Sequence, residues 1–429
     1  MSGHAVVVGG GIGGLLAAHA LADRFERVTI LERDRYPSAS HAPVPPARRG
    51  VPQSRCLHLL MAGGAAAFDE LAPGWRERLV ERGAVPFDAS ADAVLRFAAG
   101  WLPRTVSGIT TYASSRALLE DVLRRGLDGQ VKVSVREGQK VLGLLGSSDG
   151  DRVTGVRTSD AEGSGEAMLA ADLVVDSSGR NSLLPLWLDG VRSGLGGHVQ
   201  ETVVEPRTQY VSRWVQLEPT DAPDWHCLSI APAEGFPRAA MMMRAENHCW
   251  GVVLLAPAGD PLPFADDAFL DFTATLADGA LRQVLARAKP VSAIHHYGVA
   301  LNRLRHYDRL SWPAGLVALG DAVCALDPYF GLGMAATARG VVLLRNHLKG
   351  GADLSASCVG FQRALAALNA QPWHLATGCD TNGRPLAVDE GHLGRLHEAA
   401  PTRPDIARAL LAVQHLLRPV ESLMELQTA

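Results

Sequence analysis

An apolar strand, Ala5-Val6-Val7-Val8, runs into Gly9-Gly10-Gly11-Ile12-Gly13-Gly14, and far down the chain Gly320-Asp321 is followed by Pro328, Gly331 and Gly333. The pair constrains the fold more than either member alone. Gly9, Gly11 and Gly14 have the G-x-G-x-x-G spacing that lets a backbone turn tightly, approach a pyrophosphate closely and pack a helix on a strand. A helix over residues 12–24 would then point its free N–H groups and the positive end of its dipole at the phosphates. With 44 glycines in 429 residues, the spacing arises by chance about 0.5 times per chain, so its surroundings decide. A second apolar strand, Val28-Thr29-Ile30-Leu31, ends at Glu32, about 20 residues past the glycines, where a carboxylate can accept from ribose hydroxyls.

The length suits two or three units, since domains usually run about 100–200 residues. A net charge of −4 gives no basic field for nucleic acid, and no lysine or arginine cluster marks an anionic membrane. Nucleic acid is therefore not an expected partner. Six cysteines, at 56, 227, 249, 324, 358 and 379, show neither C-x-x-C nor metal-ligand spacing, which fits reduced thiols and a cytoplasmic location and gives no metal site. No uninterrupted apolar run approaches the roughly 18 residues needed to span a bilayer, and residues 15–22, without a basic flank, read as part of the phosphate-facing helix rather than a signal peptide.

After Glu32 the chain is proline-rich over 37–46, a surface excursion, and a helix is predicted over 56–71. Strand-like order follows over 93–111, then an amphipathic helix over 116–127 capped by Ser114-Ser115, with strands at 131–133 and 153–156 returning to the first layer. Leu173-Val174-Val175 runs into Asp176-Ser177-Ser178-Gly179-Arg180, another strand ending in a turn. Strands at 210–217, 227–231, 239–243 and 249–255, separated by Pro, Gly and Asp turns, predict a mostly antiparallel sheet. A buried strand at 316–319 feeds Gly320-Asp321, and helices are expected over 334–348, 359–369 and 406–417.

These motifs together resemble the three fingerprints of flavoprotein monooxygenases of the para-hydroxybenzoate hydroxylase fold: Gly9 to Gly14 with Glu32, residues 173–180, and Leu319-Gly320-Asp321 through Gly333. Residues 48–58, Ser115-Arg116-Ala117-Leu118-Leu119, 172–182, His306-Tyr307-Asp308-Arg309-Leu310 and Phe361-Gln362-Arg363-Ala364 through 380 are similar to bacterial polyketide epoxidases acting on polyether precursors. The resemblance covers residues 5–380. It implies an α/β fold: a discontinuous Rossmann-like FAD-binding domain (GR2-type; 1–70, 112–190 and 300–350), a mostly antiparallel substrate domain (71–111 and 191–299), and a helical C-terminal region (351–429). It also implies FAD contacts at Gly9, Gly11, Gly14, Glu32, Arg33, Arg48, Gln53, Arg116, Gly179, Asp321, Pro328, Gly331 and Gly333. Asp321 would hold the ribityl chain, Arg116 the pyrophosphate or ribityl chain, and Arg48 and Gln53 would lie near the flavin. The amides of residues 331–333, at a helix start, would face the electron-rich edge of the ring.

Two positions depart from the pattern. Ser178-Gly179 stands where the wider hydroxylase family carries Asp-Gly, which points to electrons from a separate flavin reductase as an alternative to direct reduction by NAD(P)H. Cys56 stands where relatives of the epoxidase-like branch have the first of two histidines, leaving His58. Tyr210, Ser212 and Trp214 share one face of a strand by period 2, as do Met241 and Met243, a mixture suited to a large, mainly apolar small molecule. No base for a phenolic proton and no nucleophile turn, zinc motif or P-loop is visible, so no catalytic residue is nominated. The expected activity is FAD-dependent monooxygenation of a secondary metabolite, epoxidation or hydroxylation, by a C4a-hydroperoxyflavin formed with dioxygen. A non-redox cyclase retaining FAD, and a flavin-dependent dehydrogenase or reductase, are the alternatives.

Overall fold

In a computed structural model the apolar strand His4–Val8 lies at the centre of a five-stranded parallel sheet, in the order Leu316–Ala318, Leu173–Asp176, His4–Val8, Arg27–Glu32, Val133–Glu137. The structure describes all residues except 1–2, 38–43, 45–46, 161–162, 164, 192–197, 207, 298–300, 350–353, 385–389 and 428–429. Most of the proline-rich excursion therefore lies outside the described residues. Parallel strands covered on both faces carry near-continuous apolar runs, as His4–Val8, Leu173–Asp176 and Leu316–Ala318 do, whereas the edge strand Val133–Glu137 is partly exposed and alternates. Helices Ile12–Ala22, Arg116–Arg125 and Gly333–Lys349 share one apolar core with the sheet. The cap of Arg116–Arg125 is Ser115, whose Oγ accepts from the Leu118 N–H at 3.1 Å. The Ser115 N–H in turn donates to Glu246 at 2.8 Å, tying the helix start to the second sheet.

The larger sheet has the order Lys289–Pro290, Thr208–Gln216, Cys249–Pro257, Ala239–Arg244, Cys227–Ile230, Ala93–Phe97, Gly100–Trp101, with His295–Tyr297 also paired to Thr208–Gln216. It is antiparallel except where Cys227–Ile230 meets Ala93–Phe97 in parallel register. Period-2 alternation sends Val211, Val215, Leu228, Met242, Val252 and Leu254 into one core, roofed by Phe269, Phe272 and Leu281 of two short helices that sequence patterning did not reveal. The opposite face meets the 48–58 segment. Gly251 permits the approach, since a Cβ there would sit 2.6 Å from Leu57 Cβ.

Three expectations need correction. The helix predicted over 56–71 begins only at Ala62, because Pro52–Arg55 forms a 3-10 turn and His58–Leu59 pairs as a strand with Ala113 and Ser114. The strand expected at 153–156 does not join the parallel sheet; Val153–Asp160 is the middle of an antiparallel sheet with Gln139–Gly146 and Ala167–Ala170, because its long antiparallel register with Gln139–Gly146 outcompetes that alternative. The strand-like stretch 93–111 divides between two sheets, Ala93–Phe97 and Gly100–Trp101 in the large one and Thr110–Ser114 with His58–Leu59 and Val85–Asp88.

The C-terminal helix Pro404–Gln414 is anchored at its end: His415 Nδ1 accepts from the Ala62 N–H at 3.1 Å, and the Gly63 N–H donates to the His415 carbonyl at 2.9 Å. Burial pushes His415 down to about 4. Because its folded value lies below the unfolded one, its contribution is complete above about pH 6.5 and is lost as pH falls towards 4, on the order of 3 kcal/mol in all. Urea unfolding between pH 7 and 4 is expected to show this slope, and His415→Gln to flatten it; an unchanged slope would remove His415 from the account.

Candidate active site

The two glycine turns open on a single cavity of about 510 Å³ that also reaches the large sheet. Its walls at one end are Gly9, Gly11, Glu32, Arg33, Arg48, Arg116 and Gly179; at the other Asp321, Pro328, Gly331 and Gly333 meet Tyr210, Met241, Tyr297, Cys56 and His58. Gln53 also lines it, from the 3-10 turn. Gly14 does not. It packs the helix on the turn, with a would-be Cβ 1.8 Å from the Gly9 carbonyl oxygen. Trp214 and Met243 also lie outside this wall: Trp214 is buried with Ala245 and Cys249, and Met243 with Phe87, Ala93, Ala113 and Cys227. Sharing a strand face with Tyr210 or Met241 was not enough, because the cavity spans only part of that face.

At the first turn Gly9 takes φ +97°, and Gly11, the N-cap of Ile12–Ala22, has no side chain to cap the helix. The leading N–H groups are thus left for an anion. Glu32 Oε2 accepts from the Gly10 N–H at 2.7 Å and pairs with Arg48 Nη1 at 3.2 Å, while Oε1 accepts from the Asp34 N–H at 2.9 Å. Arg48 donates to Glu120 at 2.9 Å, and Glu120 receives Arg116 Nε at 3.0 Å, so two carboxylates and two guanidiniums form one buried network. Tyr36 covers it, with Arg48 4.7 Å above its ring and its hydroxyl donating to the Gly10 carbonyl at 2.5 Å. Arg48 therefore lines the cavity at its Gly10 end, where Glu32 and Glu120 hold it. Its Nη1 is engaged only by the ion pair with Glu32, and Nε has no hydrogen-bond partner among the described residues. Neither Tyr36 nor Glu120 was foreseen, though the Arg116 to Glu120 spacing of four on one helix face was a readable signal.

The turn after Leu173–Asp176 is held from below: Asp176 accepts from the Ser178 N–H at 3.0 Å, Ser178 Oγ at 2.6 Å and Ser182 Oγ at 2.5 Å, while burial pushes its carboxyl up. The hydroxyl of Ser178 is thus turned onto Asp176. Arg180 donates to the backbone carbonyls of Leu301 and Leu326, the latter at 2.7 Å. Asp321 is half-buried on the cavity wall and accepts no hydrogen bond among the described residues. Burial pushes its carboxyl up, opposed by the fields of Arg180 and Arg116. Gly331, at φ +66°, precedes the helix Gly333–Lys349, whose N-terminus faces the same space. His58 Nδ1 lies 3.1 Å from the Cys56 carbonyl, which requires the proton on Nδ1 and leaves Nε2 an acceptor. Burial, helped by Arg116, drives it down to about 3, so the ring is neutral at ordinary pH. Among the described residues no group of three His, Cys, Asp or Glu side chains could hold a metal ion, and no helix is long and apolar enough to cross a membrane.

The parallel sheet, the glycine turn and the helix behind it define a Rossmann-like dinucleotide-binding protein, and residues 7–71 match the model of an NAD(P)-binding Rossmann-like domain. The chain belongs to the family of Protein Rv3254 of Mycobacterium tuberculosis (strain ATCC 25618 / H37Rv), to which it is 32% identical over 363 residues, 81% of this chain and 73% of the relative. Solved structures share the architecture at low identity. The p-nitrophenol 4-monooxygenase PnpA of Pseudomonas putida DLL-E4 superposes with a TM-score of 0.67 at 18% identity, covering 98% of this chain and 99% of its own. The flavin-dependent brominase Bmp2 gives 0.68 at 14%, over 97% and 94%. The Diels-Alderase PyrE3 of pyrroindomycin biosynthesis gives 0.64 at 19%, over 96% and 80%. The fold is thus one that FAD-dependent monooxygenases and halogenases use.

Proposed function

We propose that the cavity binds FAD and that the protein is a flavin-dependent monooxygenase of a large, mainly apolar small molecule, epoxidising an alkene or hydroxylating an activated carbon. The observation that carries this is one cavity joining an uncapped helix start, an Asp321 that accepts no hydrogen bond among the described residues, and a wall of the large sheet. The residues fit the group. The N–H groups after Gly11 suit a pyrophosphate, Arg48 and Arg116 put positive charge on the wall near them, and Asp321 suits a ribityl hydroxyl. When bound and reduced, FAD supplies electrons and activates dioxygen. The start of Gly333–Lys349 would favour negative charge at its end of the cavity. Leu57, Tyr210 and Met241 would keep water out, and positioning rather than proton transfer would be the main task of the protein.

Electrons would come from NAD(P)H, directly or through a separate flavin reductase. Ser178, bound to Asp176, offers no acid at the position of the family's Asp-Gly, and this supports the second route. Purified protein is expected to contain FAD that bleaches slowly with NADH or NADPH alone and rapidly once a reductase is added; fast reduction by either nicotinamide without it would contradict the reductase route. The sharing of this fold with a protein described as a Diels-Alderase favours one second reading, a cyclase in which FAD is structural. Turnover without oxygen or reductant would establish it.

A further inference from the structure

The far end of the cavity holds an aromatic pair that neither the sequence motifs nor the dinucleotide explains. Tyr210 of Thr208–Gln216 stands directly opposite Tyr297 of His295–Tyr297 in antiparallel register, and their rings stack at 5.0 Å with planes 18° apart. Tyr297 is held by its surroundings: its hydroxyl lies 3.3 Å from Ser212 Oγ, and it packs against the buried cluster that contains Cys56. Tyr210 is not held at its hydroxyl. It is 7% exposed and lines the cavity, yet its hydroxyl has no hydrogen-bond partner among the described residues. Beside the pair stand Met241 and an edge-to-face couple, Tyr329 and Phe330, with ring centroids 4.9 Å apart.

Resting on the reading that this end receives the substrate, we propose that it takes a flat, conjugated ring system whose face lies against the tyrosine pair and whose carbonyl or ether oxygen accepts from Tyr210. Stacked and edge-on aromatic walls reward a planar ligand beyond the area buried, and a nearly buried hydroxyl rewards a group that pairs with it. Burial, with the fields of Cys56 and Asp327, raises Tyr210 far enough that it keeps its proton and serves as a donor. Cys56 is a positioning residue. Burial pushes its thiol up to about 11, so it stays uncharged and acts by orienting Tyr297.

The test is calorimetric titration of the FAD-loaded protein with 1-tetralone, tetralin and 1-decalone, which separate the conjugated ring from the oxygen. 1-Tetralone is expected to bind about fivefold or more tighter than either of the others. Tyr210→Phe should abolish its advantage over tetralin and leave tetralin unchanged. Cys56→Ala should weaken both aromatic ligands but not 1-decalone, and Cys56→Ser should restore them. Equal binding of 1-tetralone and 1-decalone by the wild-type protein, no binding of any of the three, or an unchanged ratio in Tyr210→Phe overturns the proposal. Failure of the flavin reading is recorded separately: a protein that holds no FAD but keeps these ligand ratios loses the monooxygenase assignment and retains the aromatic site.

Discussion

Gly14→Ala is expected to destabilise the protein by at least about 3 kcal/mol, whereas Gly11→Ala should leave unfolding in place and weaken FAD binding about tenfold or more. The two glycines stand three residues apart and do different things. A Cβ at Gly14 would sit 1.8 Å from a backbone oxygen of the turn and 3.3 Å from Val7 Cγ1, so strand and helix would have to separate. At Gly11 the nearest atom to a new Cβ is Arg116 Nη2 at 3.9 Å, which leaves room for the methyl but places it where a pyrophosphate would approach. Urea unfolding and FAD titration of both variants check this. A Gly14→Ala protein with wild-type stability would contradict the packing, and a Gly11→Ala protein with wild-type affinity would contradict the assignment of the turn to phosphates.

Arg48→Met is expected to cost about 3–5 kcal/mol, because it leaves Glu32 and Glu120 buried without their shared cation. Removing one partner of a buried pair exposes the cost of desolvating the others, which an exposed pair does not incur. Arg403, exposed beside Asp405, provides the control, and Arg403→Met should change stability by nothing measurable. Urea unfolding of the two variants side by side checks the contrast, and equal effects would mean that the network around Gly10 is not a stabilising element.

The elements with a strong physical period were legible in the sequence. The first strand, its glycines and the strand ending at Glu32 are local patterns, as are Leu173–Asp176 and the Gly333–Lys349 helix, and no long-range contact was needed to read them. The 56–71 stretch misled because Leu57, Leu59 and Leu60 offer the apolar side chains a helix also uses, and only pairing with Ser114 and Ala113 makes His58 and Leu59 a strand. The same limit explains the site. Arg48 was visible as a basic residue in a turn, but its place beside Glu32 and Glu120 depends on two elements remote from it. Tyr297 carried no signal at all, since it belongs to a three-residue strand and matters only through its partner Tyr210. Trp214 and Met243 show the converse, a correct strand face that extends beyond the cavity.

Delivery of one atom of dioxygen to an organic substrate is the central claim, and isotope labelling tests it even before that substrate is identified. FAD-loaded protein, supplied with a flavin reductase and NADPH, would be incubated with a mixed metabolite extract under ordinary and heavy-isotope dioxygen, and the new ions compared by mass spectrometry. The account predicts a product that is heavier under labelled dioxygen by the mass difference of one oxygen atom and absent when oxygen or reductant is withheld. An isomeric product formed equally well without either would contradict it and make the protein a cyclase.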